Sequence, residues 1–129
     1  MKGRVLADTS VWIEFFKSDS EIGDQLEALL KGNSVWTCGI TIFELLQGVK
    51  SDSEKKTILE ILSALPYVEM SLKIWHKAAE ISVSLKKKGL TLPLSDILIA
   101  SIAIENNLSI FTLDKHFALV PGVRLLHFS

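Results

Sequence analysis

Four carboxylates stand where a protein can put them to chemical use: Asp8, Glu44, Asp96 and Asp114. Asp8 ends the short apolar run Val5-Leu6-Ala7 and precedes a helical pattern with Val11, Trp12, Phe15 and Phe16 on its apolar face. An acid at the carboxyl end of a strand, facing a helix start, lies on the edge where open α/β sheets hold their sites. Asp114 follows a second strand-like run, Ser109-Ile110-Phe111-Thr112. Glu44 falls one turn into the helix after a third, and Asp96 opens the most apolar helical pattern in the chain. If the strands are parallel, their carboxyl ends share one edge, and topology can gather all four acids. Carboxylates sharing a cleft repel and raise one another's pKa. A divalent cation relieves that repulsion, and an all-oxygen donor set suits Mg2+ or Mn2+.

Each acid also has a plainer role available. Asp8 can cap the first helix, because Asp is a preferred N-cap. Thr41 and Glu44 fit a capping box. Asp96 favours the helix dipole at a helix start, and Asp114 can cap the turn Lys115–Val120. The surroundings weigh against capping alone. Val-Leu-Ala precedes Asp8, Ile-Leu-Ile-Ala follows Asp96, and Glu44 lies between Ile-Phe and Leu-Leu. Acids at a core edge need partners, and the nearby cations are few: Lys115 and His116. Capping and metal binding are compatible, since a capping carboxylate keeps free lone pairs. Ser10 and Thr112 lie close to acids, and their hydroxyls can orient a carboxylate or cap locally. His76 and His127 read as surface or structural residues, and His116 as part of a solvated turn. Cys38 reads as a buried small residue, Trp12, Phe15 and Phe16 as core or dimer contact, and Lys86-Lys87-Lys88 as a solvated helix end that favours the dipole, with phosphate binding as the alternative.

The elements that must position these residues alternate along the chain. A strand is expected over about 4–8, a short helix over 11–17, and a capping box at Ser18-Asp19-Ser20-Glu21 opening a helix to Lys31. Ser34 to Cys38 is the second strand, and Thr41 to Gly48 the third helix. A second capping box, Ser51 to Glu54, opens a helix stopped by Pro66. Tyr67 to Met70 is a short strand, Leu72 to Lys88 a long helix closed by Gly89, and residues 95–106 a sixth helix too apolar to be exposed. Ser109 to Thr112 and Val123 to Phe128 complete the strands. Short strands alternating with helices argue for an α/β fold with a mainly parallel sheet.

The 129 residues fit one domain, 1–129. Hydrophobic residues make up 48% and charged residues 22%, which excludes a disordered chain. Mean hydropathy of +0.33 points to apolar surface covered by a partner, such as a second copy. The net charge of −1 provides no global basic field, so any RNA binding must come from a local patch or a metal. The single cysteine excludes an internal disulfide. The apolar run Ile97 to Ile104 falls far short of the roughly 20 residues that span a bilayer. The chain enters its first strand with no signal-peptide pattern, so a cytoplasmic protein free of membrane is expected.

The ordered set Asp8-Thr9-Ser10, Glu44-Leu45-Leu46 with Gly48, Asp96-Ile97-Leu98-Ile99-Ala100 and Thr112-Leu113-Asp114-Lys115-His116-Phe117 resembles the PIN-domain family. The similarity extends over essentially the whole chain and is greatest to the single-domain toxins of VapBC-type toxin–antitoxin pairs. It implies a central, mainly parallel sheet between helices, with the acids at one edge. It further implies an Mg2+- or Mn2+-dependent endoribonuclease, a homodimer and a cognate antitoxin. Carried over by position, Asp8 and Asp96 would be the main metal ligands. Glu44 and Asp114 would complete the quartet, with Ser10 and Thr112 in support. Two other classes remain to be weighed. A phosphatase with an aspartyl nucleophile would carry Asp-x-Asp after strand 1, but Ser10 holds the third position. A silent module acting only by binding its partner would not need all four acids.

Overall fold

The computed structural model describes residues 3–17 and 19–127. Four strands form a parallel sheet in the order β3-β2-β1-β4: β1 (Val5–Ala7), β2 (Val35–Cys38), β3 (Tyr67–Val68) and β4 (Ser109–Phe111). The helices are α1 (Thr9–Phe16), α2 (Glu21–Lys31), α3 (Gly39–Gln47), α4 (Asp52–Leu62), α5 (Leu72–Lys87) and α6 (Leu94–Glu105). A 3-10 turn, Lys115–Leu119, follows β4. The expected α/β class with a parallel sheet is what the chain adopts.

Two apolar layers follow from the period of 2 in the strands. Leu6, Cys38 and Ile110 face one layer, with Ile74, Ala78, Ile81 and Leu85 of α5 and nearly all of α6. Val5, Ala7, Val35 and Phe111 face the other, with Trp12, Leu26, Leu45, Ile58 and Leu62. In α6, every residue from Ile97 to Ala103 is buried, so the helix shows no amphipathic stripe. Truncating one of its fully buried side chains, such as Ile99→Ala, costs about 2–5 kcal/mol.

Several local expectations change. The cap of α2 is Ser20, whose side chain accepts from Gly23 N at 3.0 Å; Ser18 lies outside the described residues. Helix α1 starts at Thr9, because Asp8 is already its cap. The Thr41–Glu44 capping box does not form. Helix α3 begins at Gly39 after Cys38 without a side-chain cap, and Thr41 is fully buried within it. Ser51 does cap α4, accepting from Glu54 N at 3.1 Å. The expected strand Val123 to Phe128 shrinks to one parallel bridge, Ile110 with Leu125, and Phe128 lies outside the described residues. The cause is β4 itself: after Phe111 the chain leaves the sheet, so only Ile110 is left to pair outward.

Candidate functional site

The site is built where β1 and β4 end side by side. Asp8 N donates to Phe111 O at 3.0 Å, which carries the ladder one residue past β1. Asp8 is thereby fixed at the end of a central strand, 6% exposed. One carboxylate oxygen caps α1, accepting from Ser10 N at 2.5 Å. The other accepts from the Thr112 hydroxyl. That hydroxyl in turn accepts from Asp114 N at 2.9 Å. The turn after β4 is tied a second time, because Leu113 N donates to Ser10 Oγ at 3.1 Å. Asp114 caps the 3-10 turn, accepting from His116 N at 2.8 Å, and its Oδ1 lies 3.0 Å from His116 Nδ1.

Glu44 arrives from α3, which packs against α1 and α6. Its Oε1 accepts from the Thr9 hydroxyl at 2.6 Å, a side chain that sequence inspection gave no reason to single out. Asp96 sits in the first turn of α6, its N–H donating to Pro93 O at 3.1 Å. Burial pushes the Asp96 carboxyl above its ordinary range; the charges of Asp114, Asp8 and Glu44 add to that rise, and His116 opposes it. Three acids from three other parts of the chain thus act on one carboxylate. Asp96, Asp114 and His116 offer ligand atoms all within 4.8 Å of one another. Asp8 and Glu44 stand outside that tight group, each already accepting a hydroxyl proton.

The structure therefore brings all four acids to one edge, with Asp96 within reach of the charges of the other three. Thr112 supports Asp8 directly, whereas the Ser10 hydroxyl bonds the neighbouring turn and not a carboxylate. His116, expected in a solvated turn, is exposed but reaches Asp114. Its position two residues after a capping acid was the available signal, since an Asp at a turn start folds the chain back onto itself. A groove of about 580 Å3 runs from Glu44 past Ile13, Phe16, Leu45, Val49 and Ile58.

Residues 5–123, nearly the whole of the 129, match the family model of the PIN domain. The chain belongs to the PIN domain family. Its PIN domain is 34% identical over 107 residues to the ribonuclease VapC2 of Rickettsia felis, covering 79% of this chain and 80% of that protein. It is 27% identical over 124 residues to the ribonuclease VapC11 of Mycobacterium tuberculosis, covering 92% of each. A toxin–antitoxin complex from Klebsiella pneumoniae contains a chain of similar fold, with a TM-score of 0.76 and 27% identity over 92% of this chain and 94% of that one. The fold also matches VapBC2 from Rickettsia felis bound to a promoter DNA fragment, with a TM-score of 0.80 and 24% identity over 97% and 98%. Among the described residues no helix is long and apolar enough to cross a membrane.

Proposed function

We propose that this chain is a divalent-metal-dependent endoribonuclease, the toxin of a toxin–antitoxin pair, with Asp8, Glu44, Asp96 and Asp114 as its catalytic acids. The observation that carries this reading is Asp96: a carboxylate half-removed from water and facing three others. Such a set is costly on its own, and its hard oxygen donors fit Mg2+ or Mn2+. Asp96 and Asp114 would hold the ion most directly, and Asp8 and Glu44 would do so directly or through water. When bound, the ion lowers the pKa of a water and offsets charge developing on phosphate.

The protein's own groups do the rest. Thr112 and the α1 N-terminus fix both oxygens of Asp8, and each oxygen keeps a lone pair for a further partner. Thr9 holds Glu44 in one orientation. His116 can donate a proton from its ring toward Asp114 or a substrate oxygen. The names of the relatives support RNA as substrate and a small antitoxin as partner. Exposed Leu72, Trp75 and Val83 on one helix, α5, fit a homodimer, and a cytoplasmic site of action suits an RNA target. A silent binding module is disfavoured by the hydrogen-bonded support given to Asp8 and Glu44, which binding alone would not require.

The test is cleavage of an RNA panel by the chain freed of any antitoxin, with Mg2+, with Mn2+ and with EDTA. Cleavage that needs the ion and falls by orders of magnitude in Asp8→Asn, Glu44→Gln, Asp96→Asn and Asp114→Asn is expected. Activity surviving exhaustive chelation, or amide variants that cut like wild type, would overturn the proposal.

A further inference from the structure

We infer that Lys86, Lys87 and Lys88 form the phosphate-binding rim of the site, holding the RNA backbone beside the cut; the inference rests on the ribonuclease reading above. The acids by themselves repel RNA, and the chain's net charge is −1. Something local must hold the phosphates that flank the scissile one. The lysine run ends α5, the helix that packs most extensively on α6. The two are joined by the short loop of residues 88–93, so the C-terminal end of α5 lies beside the N-terminal end of α6, where Asp96 sits. Lys86 lines a small crevice with Leu90, Leu92 and Ile97, the last being the residue after Asp96.

The charges here are also uncommitted. All three lysines are exposed, and among the described residues none is in an ion pair. Lys17, Lys31 and Lys73 each lie within 4.0 Å of a glutamate; Lys50, Lys55, Lys56, Lys77 and Lys115 are in no ion pair among the described residues either, but only residues 86–88 set three lysines in a row. Lysines at a helix end also favour the helix dipole. That effect alone would make them matter to stability and leave RNA untouched. Gly89, at φ 75, supplies the left-handed turn by which the chain leaves α5 and starts toward α6.

The test compares three proteins for binding a fluorescent, mixed-sequence single-stranded 20-mer RNA in EDTA, followed by anisotropy from 50 to 200 mM salt. They are wild type, the triple variant Lys86→Gln, Lys87→Gln, Lys88→Gln, and an equal-charge control, Lys31→Gln, Lys73→Gln, Arg124→Gln. The control cations lie toward the opposite edge of the sheet: Lys31 ends α2 before β2, Lys73 pairs with Glu105 at the end of α6, and Arg124 bonds Asn107 before β4. Three single-strand phosphate contacts reduce the salt slope by about 2, so the lysine variant's deficit against wild type is about twentyfold larger at 50 mM than at 200 mM salt. A fourth protein, the Lys→Arg triple at 86–88, restores binding, because the charge is kept. A control that weakens as much as the lysine variant, an unchanged slope in the lysine variant, or binding to anionic lipid vesicles in place of RNA would overturn the inference. Because no metal is present, this result is independent of cleavage. A rim that binds RNA in a protein that never cuts it would refute the ribonuclease reading and leave the rim standing.

Discussion

Thr112→Val removes one hydroxyl and keeps the side chain's shape. That hydroxyl donates to Asp8 and accepts from Asp114 N, so its loss leaves a buried carboxylate oxygen and a backbone N–H without their partners. A hydrogen bond to a charged group contributes about 1.5–3 kcal/mol. Thr112 is only half-buried, and water can reach part of the gap, so the lower end applies: about 1.5–2 kcal/mol. For 129 residues, an unfolding entropy of about 2.1 cal/mol/K per residue gives a total of about 0.27 kcal/mol/K. The melting temperature should therefore fall by about 6–7 °C. Thr112→Ser keeps the hydroxyl and should lose less than half as much. RNA cleavage should follow the hydroxyl, because Asp8 loses one of its two positioning bonds; a misplacement of about 1 Å costs about a hundredfold in rate. The assay is a thermal melt beside a single-turnover cleavage course for the three proteins. If Val melts within about 1 °C of wild type and cuts as fast, or if Ser is as damaged as Val, the bridge from Asp8 to Asp114 does not hold the site together.

Asp96→Asn should change the pH dependence of stability. The folded-state pKa of Asp96 is raised, first by burial and then by Asp114, Asp8 and Glu44. Its contribution to stability is therefore full below its ordinary value of 3.8 and lost as pH rises through the folded value. In EDTA the variant should melt higher than wild type at pH 7 and no higher at pH 3, as measured by melts across pH. Added Mg2+ at about 100 times its dissociation constant should stabilise wild type by about 2.7 kcal/mol; the amide variants should gain less in the same melt. Gly23→Val should destabilise by about 1–3 kcal/mol. A Cβ there already lies 3.1 Å from Glu14 O and from Phe15 Cα, both backbone atoms of α1 that cannot yield without moving the helix; a urea titration reads this directly.

What the sequence disclosed and what it hid divide along physical lines. Val5 to Ala7 ending in Asp8 announces a buried parallel strand and its cap, because burial on both faces leaves a run of apolar residues. Asp96 ahead of Ile-Leu-Ile-Ala announces an acid at a core edge for the same reason. The partnerships of Thr9 with Glu44 and Thr112 with Asp8 could not be read. They span 35 and 104 residues, and no local pattern encodes a hydroxyl's distant acceptor. Thr41 shows the opposite error. Its spacing from Glu44 imitates a capping box, but tertiary packing buries Thr41 and turns Glu44 to the cleft. The apolar residues of Val123 to Leu126 looked like a strand because they do pack on both layers; the missing ingredient was a partner long enough to pair with.

The two ties between the turn after β1 and the turn after β4 join residues 103 and 104 positions apart. During synthesis, β1 and the cap of α1 are made about a hundred residues before their second neighbour in the sheet, β4. Until Ser109–Phe111 has left the ribosome, β1 has only β2 to pair with, Asp8 has no Thr112, and Asp114 does not yet exist. A stalled or prematurely released chain therefore carries no complete acid cluster, however much of its sheet has formed. Assembly order thus delays the site: it closes only once the chain has been made through Asp114.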